Sequence, residues 1–153
     1  MPQSRFTYET YIRTTPEKLW RALTEAEFTR QYWAETWQES TWQPGASWRL
    51  MIPDGRVGDS GEILEAEPGR RLVHTLQVEH DDNLRAEGPS RVTYDIEPLE
   101  SSVKLTFRQE HDRPESVVIA TMSQGWPHLL ASLKSLLETG KALEETSRWP
   151  EGH

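Results

Sequence analysis

The chain has 153 residues, no cysteine, seven tryptophans and a formal net charge of −8. Without cysteine it has no disulfide, no thiolate metal site and no cysteine nucleophile, and without a Lys/Arg cluster it lacks the positive face that nucleic-acid phosphates need. The length suits one domain with a sizeable core, and neither a membrane-length apolar run nor a signal segment is visible, so a cytoplasmic protein is the expectation.

Residues 6–12 alternate, with Phe6, Tyr8 and Ile12 on one side, and predict a first strand. Thr15 predicts an N-cap with Pro16 in the first helical position, although Thr14 with Glu17 offers a competing capping box. That helix carries Leu19, Trp20 and Leu23, and a second short helix covers 26–32. The mixture of polar and aromatic residues at 33–42 reads as a strand with loose ends. Pro44-Gly45 turns the chain into a strand over 47–52, and Pro53-Asp54-Gly55 turns it again. Strands over 58–67 and 70–79 follow, and the second places Leu72, His74, Leu76 and Val78 on one face. Residues 81–89 read as a polar loop. A hairpin then pairs 91–97 with 102–110, with Val92, Tyr94, Ile96, Val103, Leu105 and Phe107 toward the core.

The strongest helical pattern comes last, with apolar residues at 126, 129, 130, 133, 136 and 137. A helix is expected over 114–139 and stops at Gly140. Pro127 lies inside it and predicts a kink or break near Gly125. Residues 141–153 lack periodicity and read as a flexible tail behind a single domain over 1–140. Short turns between consecutive strands imply an antiparallel sheet, and the whole is an α+β domain whose curved sheet wraps the last helix.

Several stretches resemble one known family in order and spacing. They are Pro16-Glu17-Lys18-Leu19-Trp20-Arg21-Ala22-Leu23-Thr24 with Tyr32-Trp33, then Pro44-Gly45-Ala46-Ser47-Trp48-Arg49. Gly61-Glu62-Ile63-Leu64-Glu65-Ala66-Glu67-Pro68 with Arg71-Leu72-Val73 follows, and then Gly125-Trp126 with Leu129, Leu133 and Leu137. Over residues 6–140 the chain resembles the SRPBCC (START-like) domain proteins, in the branch named after the C-terminal domain of the activator of heat-shock protein 90 ATPase. The resemblance implies the helix-grip fold of birch pollen allergen and a deep cavity for apolar small molecules. The chain departs from the family pattern at Pro127, where relatives continue an unbroken helix.

In that fold Trp48, Tyr94, Phe107, Met122 and Trp126 would converge between sheet and helix. With Leu50, His74, Leu76 and Leu129 they form the expected ligand-binding set. Any one of the aromatic and methionine residues alone is better read as core. Trp33, Trp37 and Trp42 fall nearer the expected mouth, and Glu110-His111-Asp112-Arg113 offers a polar rim. His74 is the inward histidine, a polar anchor or acid/base in one reading and a hydrogen-bonded sheet residue in the plainer one. The five histidines form no ligand-spaced pair, and no glycine-rich phosphate loop or G-x-S-x-G elbow occurs, so neither metal nor cofactor is expected.

Three functions follow. The first is a non-enzymatic binding protein for a small hydrophobic or aromatic ligand. The second is an enzyme of the polyketide cyclase or dehydratase type using His74 with Tyr94 or a cavity carboxylate. The third is an interaction module with a chaperone partner, and a homodimer is compatible with any of them. Two convergent titratable groups in the cavity would favour the enzyme, apolar walls with isolated polar anchors the binder, and a filled core with an exposed apolar patch the interaction module.

Overall fold

The computed structural model describes residues 2–150. The chain begins with β1 (Ser4–Ile12), α1 (Pro16–Thr24) and α2 (Ala26–Tyr32). Six strands follow: β2 (Trp37–Glu39), β3 (Ser47–Met51), β4 (Val57–Glu67), β5 (Arg71–Val78), β6 (Ser90–Pro98) and β7 (Val103–His111), with α3 (Asp82–Ala86) between β5 and β6. Two helices, α4 (Val117–Met122) and α5 (Trp126–Thr139), come after the last strand. The strands form one seven-stranded antiparallel sheet in the order β1-β7-β6-β5-β4-β3-β2. Register shifts at Leu50/Met51 and at Ile63/Glu65 interrupt β3 and β4. Such bulges bend and twist a sheet, and here both fall in the β3–β4–β5 part of it.

Local chemistry accounts for the elements. Thr15 Oγ1 accepts from the Lys18 N–H at 3.2 Å, and Pro16 takes the first turn of α1, where its missing N–H costs nothing. Thr14 is not the cap; its hydroxyl is buried and unpaired. Asp81 caps α3 through the Leu84 N–H at 3.1 Å, which turns part of the expected polar loop into a short helix. Cross-strand pairing aligns rows on the concave face. Ile63, His74, Val92 and Gln109 form one, and Ala66, Leu72, Tyr94 and Phe107 another.

The last helical region divides. The Gln124 and Gly125 N–H groups close α4 onto Thr121 and Met122, and α5 restarts at Trp126. Pro127 therefore sits in the first turn of a new helix rather than inside a continuous one, which removes the steric conflict. Gly140, at φ 85°, ends α5 by donating to Leu136 O. The start of α4 is pinned from outside. The Glu87 carboxylate accepts from the Val117 and Val118 N–H groups at 2.8 and 3.0 Å and from the Ser116 hydroxyl. Burial pushes that carboxyl up, but those hydrogen bonds and nearby His111 outweigh it and hold it below the usual range.

The segment 141–150, expected as a loose tail, runs back over the fold. Leu143 N donates to Ser132 Oγ at 2.9 Å, Ala34 N donates to Thr146 O at 2.7 Å, and a 3-10 turn covers Glu144–Thr146. The end of the expected tail, 151–153, lies outside the described residues.

Much of the space between the sheet and α5 is filled. Phe107 packs against Trp126 with ring centroids 4.5 Å apart and against Tyr94 at 5.3 Å, and Trp48 lies 4.1 Å from His74. Buried polar atoms there are largely paired. Trp126 Nε1 donates to Gln109 Oε1, Gln109 Nε2 to Ser90 Oγ, and Trp48 Nε1 to Gln38 Oε1.

Candidate functional site

The remaining space lies to one side of this core. A cavity of about 330 Å³ opens between β3–β4, the α2 end, the α4–α5 junction and the 141–150 segment. That volume is at the lower end of small-molecule sites, roughly 300–1,000 Å³. Its walls are mostly aromatic and aliphatic: Tyr32, Trp33, Leu50, Ile52, Met122, Trp126, Leu129 and Trp149. The break between α4 and α5 exposes Thr121, Met122 and Gly125 to it, so the Pro127 interruption shapes the chamber directly.

Asp59 is the polar feature of the wall. It pairs with Leu50 on β3 and Val78 on β5, and residues paired across antiparallel strands share a face, so it points to the concave side. Its side chain is 4% exposed, and its Oδ1 has no hydrogen-bond partner. Burial pushes this carboxyl up to about 7; His80 opposes the shift and Glu79 adds to it. His80 also lines the chamber, with Nδ1 3.9 Å from Asp59 Oδ1 and 2.9 Å from Gly58 O. A carbonyl only accepts, so Nδ1 carries a proton in this contact, and in the neutral ring Nε2 is the acceptor. The Trp149 indole N–H is a second buried polar group without a partner.

The expected site residues separate into two groups. Leu50, Met122, Trp126 and Leu129 line the chamber. Trp48, His74, Leu76, Tyr94 and Phe107 are buried behind it in the core and do not line it. His74 donates from Nδ1 to Thr75 O at 2.8 Å, and its Nε2 is buried and unpaired. Burial pushes its pKa down to about 4 against that hydrogen bond, so the ring is neutral. Burial likewise raises the Tyr94 phenol. The two rings stack at 6.4 Å but sit away from the chamber. Trp33 lines the chamber, whereas Trp37 and Trp42 do not; His111, expected at a rim, is buried beside Glu87. Among the described residues no cluster of His, Asp and Glu is arranged to hold a metal ion.

A family model described as "Activator of Hsp90 ATPase homolog 1-like protein" matches residues 13–138. The chain belongs to that family. Solved structures agree with this fold. Protein MLL2253 from Mesorhizobium loti has a TM-score of 0.74 at 26% identity, covering 88% of this chain and 96% of its own. The Aha1 dimer from Colwellia psychrerythraea gives 0.73 at 17% identity, covering 91% and 99%. CalU16 from Micromonospora echinospora gives 0.70 at 18%, covering 89% and 77%. No curated protein matches the chain in sequence.

Within this family fold, Asp59, His80 and Trp149 are among the wall residues that the sequence reading missed. Asp59 left a signal. It shares strand parity with Ile63, so alternation alone places a carboxylate on the apolar face of β4. Trp149 left none, because nothing local shows that a segment without periodicity will fold back.

Proposed function

We propose that this domain binds a small, largely aromatic or apolar molecule in the chamber beside β3 and β4. The observation that carries this reading is the cavity of about 330 Å³, walled by Tyr32, Trp33, Trp126 and Trp149 with an isolated carboxyl at Asp59. Aromatic walls with few polar groups are the usual composition of small-molecule sites. No helix among the described residues is long and apolar enough to cross a membrane, and a cysteine-free chain suits a reducing compartment, so we place the binding in the cytoplasm.

The neutral dye N-phenyl-1-naphthylamine tests this reading. Its fluorescence should rise saturably with the wild-type protein. Leu129→Trp fills the chamber from α5 and should abolish the rise while the far-UV circular dichroism stays unchanged. A rise that survives Leu129→Trp would place the binding elsewhere.

A second reading rests on one observation: Asp59 and His80 both border the chamber, 3.9 Å apart. With Asp59 near 7 and a free His80 Nε2, the pair is suited to moving a proton on a bound molecule, as in a cyclase or dehydratase. Product formation that is lost in both Asp59→Asn and His80→Gln would favour it. The interaction-module reading gains less support, because the exposed large apolar residues Tyr11, Leu64, Leu99 and Val117 lie on different elements.

A further inference from the structure

An apolar ligand alone would leave the chamber's polar chemistry unanswered. Burying a carboxylate without a partner is costly, and native structures rarely tolerate it without a reason. Asp59 Oδ1 is in that condition. His80 does not relieve it: its Nδ1–H is spent on Gly58 O at 2.9 Å, and 3.9 Å is too long for a hydrogen bond to Asp59. The other charged groups bordering the chamber are Glu145 and Arg148, of opposite sign on the same 141–150 segment. Glu79, the next acidic neighbour, makes the surroundings of Asp59 more negative still.

The rings around this carboxyl add to the same preference. Trp33 and Trp126 meet edge-to-face at 5.6 Å and 71°, and Tyr32 and Trp149 complete the wall. The faces of such rings carry negative potential and attract cations within about 6 Å, Trp most strongly. A buried carboxylate in a wall of electron-rich rings therefore favours one sign of charge. The unpaired Trp149 N–H supplies one donor for an oxygen on the same molecule.

We propose that the chamber selects organic cations: a flat apolar molecule bearing a protonated amine, whose N–H groups pair with the Asp59 carboxylate while its carbon skeleton lies among Tyr32, Trp33, Trp126 and Trp149. The proposal rests on the binding reading above and adds the sign of the ligand's charge. It also fixes a proton balance. Asp59 holds a proton over much of the range below about pH 7, so an amine that enters there as a cation displaces that proton to solvent.

The test uses three probes of one shape: 1-naphthylmethylamine, 1-naphthalenemethanol and 1-naphthoic acid, titrated calorimetrically into wild type and Asp59→Asn. Wild type should bind the amine about 10- to 100-fold more tightly than the alcohol, the scale of a charge-assisted pair, and the acid most weakly. Asp59→Asn should bring amine and alcohol to within about threefold. At about pH 6, titrations in buffers of different ionisation enthalpy should show proton release on amine binding to wild type and none in Asp59→Asn. An alcohol that binds wild type as well as the amine, or a preference for the amine that persists in Asp59→Asn, overturns the cation assignment. If N-phenyl-1-naphthylamine is still taken up in that case, only the charge preference has failed. If neither the dye nor any naphthyl probe binds wild type, the binding reading falls with it.

Discussion

Asp59→Asn should make this protein more stable at neutral pH, and the gain should disappear in acid. The folded-state value for Asp59 is raised to about 7 from an ordinary 3.8 by burial. The folded chain therefore holds a proton that the unfolded chain releases between these limits. Stability linked to Asp59 is fully present below about 3.8 and is lost as pH rises through about 7. The lost stability is on the order of 4 kcal/mol, at about 1.4 kcal/mol per pH unit. His74 acts in the opposite sense. Burial lowers it to about 4 from 6.5, so the unfolded chain binds the extra proton and stability falls as pH drops from 6.5 through about 4. In wild type the two slopes oppose each other across most of this window. Asparagine removes one of them at nearly constant volume. Urea unfolding of both proteins at several pH values between about 4.5 and 7.5, with equal m values, isolates Asp59 together with its electrostatic neighbours His80 and Glu79, because groups that do not interact with it cancel in the difference. The stability difference should shift toward the variant as pH rises. A difference independent of pH would refute the burial of an unpaired carboxyl at this position.

Gly61→Ala should destabilise the β4–β5 pairing by at least about 1–3 kcal/mol in thermal or urea unfolding, because the added Cβ would lie 2.0 Å from Thr75 O, a backbone atom that cannot swing aside. Leu133 is 0% exposed at the centre of the core, and Leu133→Ala should cost about 2–5 kcal/mol; a loss well under 1 kcal/mol would mean that the α5 packing collapses into the space. Ending the chain after Gly140 removes Glu145, Thr146, Arg148, Trp149 and Pro150 from the chamber wall, and N-phenyl-1-naphthylamine affinity should drop by about tenfold or more while the circular dichroism of the sheet persists. His74→Ala, in contrast, should lower stability but leave dye affinity within about threefold of wild type, since the ring packs behind Trp48 outside the chamber.

Much of the fold was legible because its signals are local. Strand alternation, the Thr15-Pro16 start of α1, the Pro44-Gly45 and Pro53-Asp54-Gly55 turns and the Gly140 stop each depend on neighbours within a few residues. Even the break before Trp126 followed from Pro127, since a proline ring conflicts with the preceding turn wherever a helix runs through it. The sequence also sorted inward from outward residues along β5, β6 and β7, because burial on one side of a sheet imposes a period of two.

The chamber was another matter. His74, Tyr94 and Phe107 face inward as alternation requires, but whether an inward side chain meets a neighbour or an empty space depends on the volumes contributed by distant elements. Trp126 from α5 fills the space in front of Phe107, and Trp48 from β3 fills the space in front of His74. The open volume moved to the α4–α5 junction, where two helix ends fail to meet and the 141–150 segment folds across. Leu50, Met122, Trp126 and Leu129 line it, and Asp59, His80 and Trp149 give it polarity. The sequence by itself determined the strands and the main helical regions and which of their faces turn inward, while the short helix at Asp82–Ala86 escaped it. Only the tertiary structure decided where the interior stays unfilled, because a cavity is the remainder after side chains from six separate stretches have packed, and no local pattern encodes that remainder.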